Sequence, residues 1–214
     1  MKLLQVPFFY QLDKYSSIDE ISVLLDSITH REVIAVRPWP SFEYLPEVSF
    51  AVGYSSHCLL IKFYVAEQYL QAVYNKINDP VHKDSCVEIF IAFDDDDDYY
   101  NLEFNSMGTC FAGYGKNRDE RNTLPINVIR QIRHQTLVKS RALNEGIGWE
   151  LTLMIPNEVF CYHKITSLKE RACRVNLYKC GDDLPEPHFL AWNEVYSEEP
   201  DFHLPQFFGN MQFI

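Results

Sequence analysis

Residues 85–115 alternate apolar and polar side chains in two runs separated by five consecutive aspartates, a pattern that predicts a β-hairpin turned about residues 94–98. Alternate side chains of a strand share a face, so Val87, Ile89 and Ile91 point one way while Glu88, Phe90 and Ala92 point the other. On the returning strand Leu102 and Phe104 point inward, and Asn101, Glu103 and Asn105 point outward. Pairing Ala92 with Tyr99 sets Glu88 opposite Glu103, and two like charges so placed destabilise a sheet unless something compensates. A cluster of ligand hydroxyls, a neighbouring arginine or a cation would compensate. A shifted register, or two solvated carboxylates, would remove the need.

The rest of the chain sorts by the same periodicities. Ser17 and Glu20 form a Ser-x-x-Glu capping box ahead of Ile21, Leu24, Leu25 and Ile28, which predicts an amphipathic helix over residues 17–28. Residues 48–54 and 58–65 read as strands joined at Ser55, Ser56 and His57, and residues 68–76 as a helical turn or two. A loop rich in Gly, Arg and Asn spans 113–122, followed by candidate strands at 129–139, 148–155 and 172–179. From residue 181 onward Pro185, Pro187, Pro200 and Pro205 alternate with aromatics. Proline lacks the N–H a ladder needs, so this tail is expected to wrap the sheets as ordered loop before a last strand near 210–214. Many short strands with turns between them predict an all-β fold, an antiparallel β-sandwich of jelly-roll-like form with a short N-terminal helix and a proline-rich wrapped C-terminal tail. No repeat or break in composition divides residues 1–214, which are read as one domain.

Composition narrows the function. A chain of 214 residues, 47% hydrophobic and 23% charged, can bury a substantial core. Its net charge of -11 argues against a nucleic-acid partner and against an anionic membrane surface. No apolar run reaches the length of a bilayer span, and the first fifteen residues are interrupted by Gln5, Pro7 and Gln11 with no cleavage site behind them. The six cysteines show no paired metal spacing and sit mostly in apolar runs, as buried free thiols do. A cytoplasmic location is therefore expected, with a secreted or periplasmic one as the alternative.

A search for catalytic motifs finds no Gly-x-Ser-x-Gly elbow, phosphate loop, dinucleotide fingerprint or His-Glu-x-x-His pair. The seven histidines are scattered, the five aspartates at 94–98 read as a solvated turn rather than a calcium loop, and no metal or cofactor is expected. Paired carboxylates also serve glycoside hydrolases, although directly opposed strand residues, with Cβ atoms about 5 Å apart, do not by themselves make a cleft. Trp39 and Trp149 read as core, and Trp192 as either core or ligand contact. Arg118 and Arg121 are either solvated or reach back to the carboxylates. Arg174, Asn176 and Tyr178 share one face of a late strand, where Arg174 is a candidate to neutralise the glutamate pair.

Five phrases in order carry a resemblance: DSCVEIFI at 84–91, YYNLEFN at 99–105, GWELTLMIP at 148–156, NLYKCGD at 176–182, and FLAWNEV followed by EPDFHLPQFFGNMQF within 189–213. From about Trp39 to the C-terminus the chain resembles the family 9-like carbohydrate-binding proteins, relatives of the family 9 carbohydrate-binding modules within the DOMON-like sandwich domains. The resemblance implies an antiparallel sandwich that binds glycans without cleaving them. It puts one sugar-clamping tryptophan position at or beside His82 and the other on Phe202, and the site glutamate on Glu88. It puts an arginine position on Glu103, a companion asparagine on Asn105, and a glutamine position near Tyr178. Here the first clamp aromatic is lost and the charge at Glu103 is reversed.

The expected function is non-catalytic binding of a carbohydrate, a monosaccharide or the end of an oligosaccharide, on a polar strand face flanked by aromatics. The candidate ligand-binding residues are His82, Glu88, Glu103, Asn105, Arg174, Tyr178, Trp192, Phe202 and His203. The alternatives are a sugar-active enzyme using Glu88 and Glu103, and a structural or interaction domain. A carbohydrate ligand is the expected partner, with association with carbohydrate-processing enzymes as a further expectation. Removing Glu103 is expected to relieve the like-charge pair and to raise stability.

Overall fold

A computed structural model describes residues 1–140 and 146–214. Its strands are β1 (Leu3–Val6), β2 (Glu32–Val33), β3 (Glu47–Tyr54), β4 (Cys58–Glu67), β5 (Cys86–Phe93), β6 (Tyr99–Asn105), β7 (Cys110–Gly115), β8 (Arg121–Thr123), β9 (Arg133–Ser140), β10 (Ile147–Pro156), β11 (Ala172–Cys180), β12 (Phe189–Ala191) and β13 (Gly209–Phe213). They form two sheets. One runs β1-β13-β11-β5-β6-β7-β8, with β12 also paired to β11, and the other runs β2-β3-β4-β10-β9. Val87, Ile89, Ile91, Leu102 and Phe104 from the first sheet meet Phe63, Trp149, Leu151 and Leu153 from the second in one shared interior. Each fully buried side chain of this kind is worth roughly 1.5–3 kcal/mol, and the alternation of β5 and β6 exists to fill that layer. The fold is the β-sandwich the strand pattern predicts.

The helix forms where its capping box lies. Ser17 accepts from the Glu20 N–H at 3.2 Å, the Ser17 N–H donates to the Glu20 carboxylate at 2.7 Å, and α1 runs Ile18–Asp26. Its apolar side packs on the outer face of the second sheet through Ile21 and Leu25. There the buried Lys62 ammonium reaches Asp26 at 2.8 Å, Glu150 at 3.0 Å and the Ser22 hydroxyl at 2.9 Å, so the helix is tied down by charge as well as by apolar contact.

Several local expectations are corrected. Residues 68–76 contain no helical turn, because their backbone is taken up by other partners: Asp84 accepts the N–H groups of Val73 and Tyr74, both at 3.0 Å. The stretch read as a strand from 129 begins as α2 (Ile126–Ile129), entered at Pro125, and turns to β9 only at Arg133. The loop expected at 113–122 is narrower, since β7 runs to Gly115 and β8 starts at Arg121. The sheet is not wholly antiparallel either, as β1 pairs parallel to β13.

The C-terminal tail does wrap, and what it covers changes the reading of the hairpin. Phe90, Ala92, Tyr99 and Tyr178, on the face expected to look outward, are buried in a second apolar cluster with Trp39, Val195, Phe202 and Phe208. A polar-apolar alternation shows which residues share a face but not that a proline-rich tail will roof the polar one.

Candidate ligand-binding cavity

The ladder pairs Glu88 with Glu103 and Ile91 with Tyr100, the register the hairpin pattern predicts. Both carboxylates are 3% exposed, so neither is simply solvated. They lie on the floor of a cavity of about 210 Å³ together with Cys180. His82 and Asp182 also line it, as do Arg118, from the turn between β7 and β8, and Arg121, from β8 itself. Trp39, Phe189 and the segment Pro200, Asp201, Phe202 and His203 complete the rim.

Glu103 is well partnered. It accepts from the Asn101 amide at 2.8 Å and from Arg121 Nη1 at 3.4 Å, and its other oxygen lies 3.7 Å from His82 Nδ1. The Asn101 amide depends on a glycine, because a Cβ on Gly113 would come within 2.6 Å of its Oδ1. The Glu103 carboxylate raises the His82 pKa above the usual histidine value, outweighing the opposite effect of burial.

Arg121 also reaches His203 Nε2 at 3.2 Å, and His203 Nδ1 lies 2.7 Å from the Tyr99 hydroxyl. An arginine can only donate, so Nε2 accepts and the ring proton sits on Nδ1, donating to Tyr99. Burial, reinforced by the charges of Arg121 and Arg118, pushes the His203 pKa down to about 2. His203 is thus a neutral spacer that fixes both the arginine and the roof.

Glu88 differs from its neighbour. Among the described residues the hydrogen bonds it accepts come from two thiols, Cys180 at 3.1 Å and Cys86 at 4.0 Å. Burial and the charge of Glu103 both raise its pKa well above the ordinary carboxylate range.

Of the nine residues predicted for the site, the structure brings His82, Glu88, Glu103, Phe202 and His203 to the cavity. The other four are corrections. Trp192 is fully buried between the sheets, with its indole N–H donating to Glu32 at 2.8 Å. Asn105 holds the turn after β6, accepting the N–H groups of Met107 and Thr109 and donating to Asp84. Arg174 shares the Glu88 face but pairs with Ala92, four residues along, and donates to the Asp96 and Pro205 carbonyls. Arg121, not Arg174, meets the glutamate pair. Tyr178 lies directly beside Glu88 in the ladder yet is fully buried, stacked on Phe202 at 4.0 Å with its hydroxyl donating to the Phe202 carbonyl. It supports the rim from beneath.

Trp39, read as core, is both packed and exposed to the cavity: it is 4% exposed and lies 5.5 Å from Phe202. Asp182, Phe189 and Asp201 were not singled out by sequence. Asp182 and Asp201 come from connecting segments and Phe189 from the three-residue strand β12, too short for a periodicity to mark it.

The profile of carbohydrate-binding family 9 matches residues 19–213, nearly the whole chain. The chain belongs to carbohydrate-binding family 9. A crystal structure described as that of a candidate carbohydrate-binding protein from Bacteroides uniformis ATCC 8492 is 32% identical, with a TM-score of 0.91 over 100% of this chain and 99% of that one. Two structures of a family 9 module from Caldicellulosiruptor kristjanssonii share the fold alone. The glucose complex has a TM-score of 0.59 at 13% identity, covering 100% of this chain and 96% of that one. The cellotriose complex has a TM-score of 0.58 at 12% identity, covering 99% and 93%. No curated protein matches the sequence. Within this family-9 chain, Arg121 brings a guanidinium to Glu103 from β8, at 3.4 Å.

Proposed function

We propose that the protein binds a carbohydrate, as one sugar ring or the end of a chain, in the cavity over Glu88 and Glu103, and that it does not cleave it. The observation that carries this reading is the cavity itself. It joins two buried carboxyl groups, two arginines and two histidines to an aromatic rim, the mixture that sugar hydroxyls and C–H faces require. Its volume of about 210 Å³ is below the roughly 300–1,000 Å³ of drug-sized pockets, which suits a single ring better than an extended glycan. Family membership supports the same class, and relatives of this fold were crystallised with glucose and with cellotriose.

A hydrolytic role has less support. Glu103 is held by Asn101, Arg121 and His82, which fixes it as an acceptor, and the two carboxylates lie side by side on one floor rather than flanking a bond. A glycan array followed by titration calorimetry tests the proposal. Binding without release of reducing sugar, weakened at least about tenfold (about 1.4 kcal/mol) in Glu88→Gln, is the expected result. Reducing sugar released by the parent but not by Glu88→Gln would establish an enzyme instead, and silence across a broad array would favour an interaction domain.

A further inference from the structure

Cys86 and Cys180 occupy directly opposed positions on β5 and β11, and Glu88 lies two residues along on the same face as Cys86. The two thiol sulfurs and a Glu88 carboxylate oxygen all lie within 4.8 Å of one another, and all three residues are buried. We propose that Cys86, Cys180 and Glu88 form a binding site for a thiophilic divalent cation of the zinc class, with its remaining coordination position open to the cavity above.

Four features argue for it. The ligand set is right for a borderline-soft metal: two sulfurs and one carboxylate oxygen are donors that zinc accepts, while calcium and magnesium prefer oxygen alone. The spacing is close to what is needed. Tetrahedral zinc with Zn–S of about 2.3 Å and Zn–O of about 2.0–2.2 Å separates its ligands by roughly 3.5–3.8 Å. Rotamer adjustments of about an ångström would bring the present cluster to that geometry.

The cluster also has a need for positive charge. Glu88 faces Glu103 with thiols as its hydrogen-bond donors, and thiols are weak donors. The guanidinium nearest the pair, Arg121, is engaged with Glu103, as is the His82 imidazole, and Arg118 pairs with Asp201. Finally, the cluster has an entrance, since Cys180 and Glu88 line the cavity while Cys86 lies beneath them. Ninety-four residues separate the two cysteines, so no local spacing reveals the site; only the antiparallel pairing of β5 and β11 does. Binding replaces each S–H bond by an S–metal bond and releases to solvent the two thiol protons, together with the carboxyl proton wherever Glu88 is protonated, with no change of oxidation state.

The experiment uses the full chain carrying Cys161→Ser, which removes the exposed thiol, titrated with cobalt(II) as a spectroscopic probe and then with zinc(II). The expected result is one equivalent of cobalt bound, with thiolate-to-metal charge-transfer absorption and the visible bands of a tetrahedral site, displaced by one equivalent of zinc. Cys86→Ser and Cys180→Ser should each lose the charge-transfer band, and Glu88→Gln should weaken binding by tenfold or more. A natively folded parent that shows no such band on cobalt addition overturns the proposal without recourse to any variant. So does a band that survives in Cys86→Ser and Cys180→Ser. The readout needs no sugar, so it stands or falls separately from the carbohydrate proposal.

Discussion

Glu88 and Glu103 are opposed in the β5–β6 ladder and equally buried, yet Arg121, at 3.4 Å, reaches only Glu103. Glu103 is anchored by the Asn101 amide and by Arg121, whereas the donors to Glu88 among the described residues are the thiols of Cys180 and Cys86.

The expectation that removing Glu103 raises stability is therefore reversed. Glu103→Gln can keep an oxygen for Asn101 and Arg121 but removes the negative charge that pairs with the Arg121 guanidinium, and is expected to lower unfolding free energy by about 1–3 kcal/mol. Glu88→Gln removes a buried carboxyl whose hydrogen-bond donors among the described residues are thiols, and should be neutral or stabilising. Urea unfolding of the two variants checks the contrast, and a Glu103→Gln protein more stable than the parent would contradict it.

A second buried ionic cluster lies at the edge of the shared interior. Lys179 meets Glu67 at 2.9 Å with both side chains fully buried, the Trp149 indole donates to Glu67 at 2.6 Å, and Lys179 lies 2.8 Å from His188. Removing one charge leaves the other uncompensated, so Lys179→Met should cost about 3–5 kcal/mol. Combining it with Glu67→Leu should recover much of that loss in the same assay.

Two cavity histidines give pH dependences of opposite sign. The His82 pKa is raised by Glu103 above the usual 6.5, so its contribution is fully present below pH 6.5 and is lost as pH rises through the elevated folded value. The His203 pKa is depressed by burial and by Arg121 and Arg118 from 6.5 to about 2. Its contribution is present above pH 6.5 and is lost progressively as pH falls from there toward 2. Stability measured against pH should therefore lose its alkaline-side decline in His82→Gln and soften its acid-side decline in His203→Gln.

Much of this was legible in the sequence because it is written in period-2 alternation. The β5–β6 register, and with it the Glu88–Glu103 opposition, follows from where the apolar residues fall, since a one-residue slip would turn Glu88 into the core. The capping box likewise located α1. Residues whose partners are distant in sequence were not legible. Arg174 lies on the right face but too far along β11, and Trp192 faces the interior because β12 pairs with β11 and carries it there. Arg121 could be assigned only once β8 was known to pair with β7, which brings it over the edge of the sheet to Glu103.

Trp39 is the aromatic whose role the structure changes most. Packed 5.5 Å from Phe202 and lining the cavity, it should contribute stacking to a bound ring. Trp39→Ala is expected to weaken glycan binding by at least about tenfold, and Trp39→Phe to retain most of it, as read by titration calorimetry. Equal losses in the two variants would assign Trp39 to packing alone.

A crystal structure of the protein soaked with its best glycan from the array shows whether sugar is held over the glutamate pair. The expected result is density for a single ring inside the cavity, with hydroxyls within hydrogen-bond distance of Glu88 and Glu103 and the ring beside Trp39 and Phe202. Ligand density seated instead in the groove lined by Val33, Pro46 and Glu150 of the second sheet, with the first cavity filled only by water, would overturn that placement.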